Sequence, residues 1–279
     1  MSVDNFKPTI WHDMILEKYE ERSIFMPLMN REYEGDISGK GDTVKILSLN
    51  DFADYAYSGT VTYSDLDDAS MFLKITEDRV VSKKLDDLDA LQANPKLAGK
   101  MAKSIADAFL RTEEAFIAAK YTEAGIADGS TTSVTAITSA NVISTFGDMA
   151  SAFDEADVPD DGRVAIVPPW LAQKIVLAGV IRDTDNSGII SAGYIGQFQG
   201  FQIFKSNRIV HSGTTWYAPM FFRRNDTIAF AMQITDIESM RLETVYGDGF
   251  RARHSYGAKV IRPESLGVLY CSEGSETAI

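Results

Sequence analysis

The sequence contains one cysteine, Cys271, so no disulfide can form within the chain, which fits a reducing compartment. Its three histidines, His12, His211 and His254, show neither i, i+4 pairing nor a neighbouring cysteine pair, so a zinc site is not expected. No apolar run approaches the roughly 20 residues of a membrane-spanning helix. The opening MSVDNFKPTIWHDM has no basic stretch followed by an apolar one, so neither membrane attachment nor secretion is expected. Positive charge is scarce: 27 Lys and Arg face 40 Asp and Glu, a net charge of −13, which argues against a protein whose main task is gripping nucleic-acid phosphates.

Signatures of chemistry are equally thin. Asp183, Asp185, Ser187 and Gly188 match the opening of a calcium loop, but Tyr194 stands at the twelfth position, where a bidentate Glu is required. Gly193, Gly196 and Gly200 lack dinucleotide-loop spacing, there is no Walker motif, and Ser58-Gly59 and Ser212-Gly213 lack a nucleophile-elbow context. The carboxylates at Asp65, Asp67 and Asp68, and at Asp157, Asp160 and Asp161, read as solvated charge in loops. No enzyme activity, cofactor or metal is expected.

What is present is a folding chain: 279 residues, 45% hydrophobic. The segment Asn94 to Glu123 places Leu97, Met101, Ile105, Phe109, Phe116 and Ile117 on one helical face. Lysines, Asp107, Arg111, Glu113 and Glu114 are assigned to the opposite face. Asn94 reads as the N-cap, Pro95 as a first-turn residue and Gly125 as the stop. Such a helix is about 40 Å long at 1.5 Å per residue, longer than most.

Around this rod the texture varies. Residues 1–35 form an arm with a short amphipathic stretch at Ile10, Trp11, Met14, Ile15, Leu16 and Tyr19, then Phe25, Met26, Pro27 and Leu28. These groups pack either on the main body or on a neighbouring subunit. Val44 and Ile46 alternate on one strand, and Met71, Leu73 and Ile75 on a second. The long polar and aromatic tip between them makes a protruding hairpin, which needs support because an isolated hairpin is marginal in water.

After the rod, ADGSTTSVTAITS reads as a linker. Ser139 is expected to cap a helix with Val142, Phe146, Met149 and Phe153 inward, stopped by Pro159 and Gly162. A buried strand through Val164, Ile166 and Val167, a Pro168-Pro169-Trp170 turn, a short helix over LAQKIVLAG and a strand through Phe201 and Ile203 complete an α/β unit. Beyond it, Gly247-Asp248-Gly249 is assigned as a hairpin turn, which would set Glu243 opposite Arg253. Val260, Ile261, Val268 and Leu269 are expected to finish the same sheet.

The order of parts resembles the major capsid protein of tailed bacteriophages, an α+β architecture known as the Hong Kong 97-like fold. NREYEGDISGKGDTVKI before the hairpin, and FDEADVPDDGRVAIVPP and GFQIFKSN later, are phrases similar to those of phage coat proteins. The resemblance implies an N-terminal arm (1–35), an E-loop hairpin (36–85), a P-domain spine helix (86–130), an A-domain (131–222) and returning P-domain strands (223–279). It implies pentamers and hexamers of this chain closing an icosahedral head around double-stranded DNA, assembled in the host bacterial cytoplasm without a membrane. A portal and a separate scaffolding protein are the further partners expected, the latter because Trp11 follows so soon after the start.

Trp11, Phe25, Phe52, Tyr55, Tyr57 and Tyr63 are the candidate inter-subunit contacts, and Lys100, Lys103 and Arg111 the candidate interior-facing residues of the spine. The E-loop tip from Asp51 to Ser70 lacks lysine, so a lysine–asparagine cross-link between subunits is not expected. An encapsulin-like nanocompartment shell shares the fold and is the nearest alternative; a cytosolic α/β enzyme is the more distant one.

Overall fold

The computed structural model describes residues 23–33, 43–49, 68–86, 96–178, 194–213, 215–241 and 247–275. Near the N-terminus, Thr43–Leu49 (β1) and Asp68–Lys74 (β2) pair antiparallel, with Ile46 opposite Met71. Alternation sends Ile46 and Leu73 inward, where with Ile75 they pack on Ala229 and Ala231. The expected hairpin is therefore present, and its root rests on the chain's own core.

Glu77–Asp86 (β3) continues from this hairpin into a three-stranded sheet with Ile228–Arg241 (β12) and Gly247–Val260 (β13), ordered β12-β13-β3. The turn expected at Gly247–Gly249 is not one. These residues are paired strand, opposite Asp86, Leu85 and Lys84, and the β12–β13 connection falls between Arg241 and Gly247. The register then sets Arg253 opposite Asp236, not Glu243. Arg253 instead grips Asp78 of β3 through two guanidinium nitrogens, at 2.9 and 2.7 Å, a fork geometry that suits a carboxylate.

The long helix spans Lys96–Ala118 (α1) and tightens into a 3-10 turn over Ala119–Glu123. At 23 residues it is about 35 Å long. Ile105, Ala106, Phe109 and Leu110 are buried with Ala252 of β13 and Met26 of the N-terminal segment, so the apolar stripe does pack on the C-terminal strands. Two expectations are corrected. Glu113 and Glu114 are buried, not solvent-facing. Gly125 is not a left-handed helix stop but a close-approach site, where a Cβ would meet the Pro263 carbonyl oxygen at 2.6 Å. Asn94 and Pro95 lie outside the described residues.

The segment read as a linker carries two short strands, Ile126–Asp128 (β4) and Thr135–Ile137 (β5). They pair in parallel with Leu266–Leu269 (β14) and Cys271–Glu273 (β15). Parallel pairing to distant strands supplies the backbone hydrogen bonds that the polar side chains did not advertise.

Val142–Glu155 (α2) begins at Asn141, not Ser139, and Val142, Phe146, Met149 and Phe153 are buried as expected. It ends in a left-handed Asp157 (φ 53°), with Val158 N–H donating to the Phe153 carbonyl and Asp157 N–H to that of Asp154. That pairing is a Schellman stop, so termination precedes Pro159 and Gly162. Arg163–Val167 (β6) is buried throughout, and Pro169–Leu177 (α3) starts on Pro169 itself, which suits the first helical turn.

Tyr194–Phe198 (β7) and Phe201–Lys205 (β8) form a hairpin turned by Gln199 and Gly200, both at positive φ. With Met220–Arg223 (β11) they build a six-stranded mixed sheet, ordered β4-β14-β11-β6-β8-β7. Val268 and Leu269 belong here rather than to the β12–β13 sheet. A four-stranded sheet, β5-β15-β10-β9, adds His211–Ser212 (β9) and Trp216–Tyr217 (β10). Phe146 contacts Phe198 and Phe221, and Phe201 contacts Phe153 and Phe221, with ring centroids 5.1–5.3 Å apart.

Candidate assembly surfaces

The outer face of the hairpin is partly apolar: Phe72 of β2 is 56% exposed and sits opposite Lys45. Next along, Val80 of β3 is exposed as well. On the α/β unit, Val176 and Leu177 at the end of α3 are 49% and 60% exposed, and Ile143 of α2 is exposed. These groups come from alternation and helical periodicity continuing past the point where the chain's own core covers them.

Phe25 is corrected as a contact candidate. It is 0% exposed and packs with Leu28, Met29, Ile228 and Phe230 in the chain's own core, so it has no surface to offer a neighbour. Trp11, Phe52, Tyr55, Tyr57 and Tyr63 lie outside the described residues. Sequence inspection missed Phe72 and Val80, although their outward positions in the alternation were the signal.

On the solvent side of α1, Lys103 and Arg111 are both exposed and line one shallow depression with Ser104, Asp107 and Ala108. Their i, i+8 spacing sets them about two turns apart on one face; the side chain of Lys100 is not among those described. Asp107 between them makes the face mixed in charge, not purely basic.

Behind that helix lies a polar cluster. Glu113 of α1 and His254 of β13 are each 0% exposed, with Oε2 and Nε2 3.6 Å apart. Burial pushes the Glu113 carboxyl well up, and neighbouring Glu114 adds to it; burial pushes His254 down to about 4. Burial thus disfavours the charged form of each group, since taking a charge out of water is costly. Glu114 accepts the Ile24 N–H at 2.9 Å, with Arg208 4.0 Å away. Burial raises its carboxyl pKa, an effect opposed by those partners. Nothing in the periodicity distinguished this pair from ordinary surface glutamates.

Among the described residues no group of three His, Cys, Asp or Glu side chains is placed to hold a metal ion. Nor is any helix among them long and apolar enough to cross a membrane.

A long helix packed on a three-stranded sheet, with a two-stranded hairpin and an α/β unit beside it, is the architecture of the Hong Kong 97-like fold. A solved chain from Mycobacterium phage Che8 superposes with a TM-score of 0.71 at 25% identity, over 89% of this chain and 91% of that one. The capsid of Ralstonia phage GP4 superposes at 0.69 and 12% identity, over 93% of each chain. The holo-SrpI encapsulin complex from Synechococcus elongatus PCC 7942 superposes at 0.61 and 10% identity, over 91% and 90%. No curated protein sequence matches. Residues 72–269 match the family described as phage capsid protein, and the chain belongs to that family.

Proposed function

We propose that this chain is the major capsid protein of a tailed bacteriophage, forming pentamers and hexamers that close an icosahedral head around double-stranded DNA. The observation that carries it is the family match across residues 72–269, which takes in β3, α1, the β12-β13-β3 sheet and the six-stranded sheet. In this reading residues 1–35 are the N-terminal arm, 36–85 the E-loop, 86–130 the P-domain spine, 131–222 the A-domain and 223–279 the returning P-domain strands. The exposed apolar groups of the hairpin and of α3 then meet neighbouring copies, as the large interfaces of obligate assemblies require. A portal and a separate scaffolding protein complete the set of partners, and assembly takes place in the host bacterial cytoplasm.

The acidic balance suits a container that holds DNA without gripping it, leaving Lys103 and Arg111 to face the phosphates non-specifically. Electron microscopy of the purified protein, expressed with and without its neighbouring genes, tests the assignment. Closed shells or tubes built of pentamers and hexamers, with nuclease-protected DNA in particles from infected cells, are expected. Shells filled with one co-purifying enzyme would favour the encapsulin-like alternative, which the likeness to the Synechococcus complex keeps in view. A monomer of 30.7 kDa would overturn both.

A further inference from the structure

Two bodies can be told apart by their cores: the α/β unit, and a spine body formed by α1 and the β12-β13-β3 sheet. Alternation along β6 and β11 gives the six-stranded sheet a second apolar face. Ala165, Val167 and Phe221 belong to the α/β core. Val164, Ile166, Met220 and Phe222 cluster instead with Phe230, Tyr256 and Val260 of the spine sheet. That second cluster is the seam between the bodies.

The chain passes between the bodies at 124–125, 224–227 and 261–265, and these passages are tied to one another. The Gly125 N–H donates to the Pro263 carbonyl and the Ile261 N–H to that of Thr227, each at 2.8 Å. The buried Thr227 and Ser265 hydroxyls lie 2.8 Å apart. Asp226 accepts from Arg223 and lies 3.5 Å from Arg262. Passages bound together at one place make a pivot, because a hinge needs only a few element-terminal residues.

Residues 23–30 lie along this seam. Phe25, Leu28 and Met29 are buried in its cluster, and Met26 reaches the core beneath α1. Ile24 N–H donates to Glu114 of α1. Asn30 forms a one-residue parallel bridge to β12, donating to the Ile228 carbonyl and accepting from the Phe230 N–H, both at 2.9 Å. From the passage at 224–227, Arg224 Nε donates to the Pro27 carbonyl at 3.1 Å and Asn225 N–H to that of Leu28 at 3.0 Å. The segment thus touches the spine helix, the spine sheet and the pivot at once.

We propose that residues 23–30 are a strap that fixes the angle between the α/β unit and the spine body. Docked, it fills the seam and holds the bodies still; withdrawn, it frees them to rotate about the pivot. The inference concerns packing within one chain and stands apart from whether copies of that chain assemble.

Spin labels on Ser82→Cys of β3 and Ser151→Cys of α2, both exposed positions, report the angle by pulsed electron resonance on the purified full-length protein. Cys271 is buried and stays unlabelled. One narrow distance distribution is expected. Phe25→Ala, which empties part of the seam, should broaden or shift it, whereas Phe146→Ala, the same truncation inside the α/β core, should not. An unchanged distribution in Phe25→Ala, or equal broadening in both variants, overturns the proposal. If either variant fails to fold, hydrogen exchange on the wild-type protein decides. The amides of Ile24, Asn30, Asn225 and Phe230 lose their acceptors together when the strap leaves. They are expected to share one opening constant, at least about tenfold larger than that of β6. Unrelated constants among the four, or exchange only in step with β6, overturns the strap.

Discussion

Gly257 of β13 lies directly against the backbone of Lys74, where β2 leaves the hairpin. A Cβ on Gly257 would overlap the Lys74 carbonyl oxygen and stand 3.0 Å from its carbon and 3.1 Å from Ile75 Cα. Those atoms are main chain and cannot swing aside. Gly257→Ala is therefore expected to lower stability by about 1–3 kcal/mol and to shift the hairpin root. Urea unfolding together with hydrogen exchange at 71–75 measures both; a wild-type midpoint and wild-type exchange would show that the hairpin is not seated there.

Glu114 is the acceptor for the Ile24 N–H. Removing it in Glu114→Ala leaves a part-buried donor unsatisfied, worth about 1–3 kcal/mol, and should quicken protease cleavage within 23–33. Glu114→Gln, whose amide oxygen can still accept, should cleave more slowly than the alanine variant. Equal rates for the two variants would contradict the assignment.

Phe146 is fully buried between Phe198 and Phe221. Phe146→Ala is expected to cost about 3–5 kcal/mol, read as a fall in the denaturant midpoint of the unassembled chain. Phe72→Ser, on the open face of the hairpin, should change that midpoint by no more than about 0.5 kcal/mol. A large loss in Phe72→Ser would mean that the chain's own core covers that face.

Cys271 is buried on β15, and burial, helped by Asp128, pushes its thiol far above the ordinary range. Since the thiolate is the reacting species, the folded protein should resist thiol reagents at mildly alkaline pH and react only as it unfolds. Labelling followed across a urea gradient should track the unfolding curve, and prompt labelling without urea would refute the burial.

Periodicity revealed much of this architecture because it reports a one-sided environment. Ile105 and Phe109 recur at helical spacing since one face meets β13, and Ile46 and Leu73 alternate since one face of the hairpin meets Ala229 and Ala231. The failures share a cause as well. β4 and β5 are held by backbone pairing to strands far along the chain, which composition does not encode. Gly247 and Gly249 look like turn residues yet are paired strand, because the pairing with β3 dominates local preference. Glu113 carries the same side chain as any surface glutamate, and only its place beneath the sheet makes it unusual. The outward positions of Phe72 and Val80 were legible in the same alternation that buries Leu73.

The order of the two mixed sheets also governs when the molecule can close. β14 lies between β4 and β11, and β15 between β5 and β10, so the interior strands are among the latest in the sequence while their neighbours come much earlier. Until residues 266–273 arrive, β11 and β10 present open edges, the kind of surface on which chains mispair. Completion depends on contacts of long sequence separation, which form slowly. The chain thus passes through a vulnerable interval until those strands are made, and crowding nascent chains at that moment would favour tangles over finished subunits.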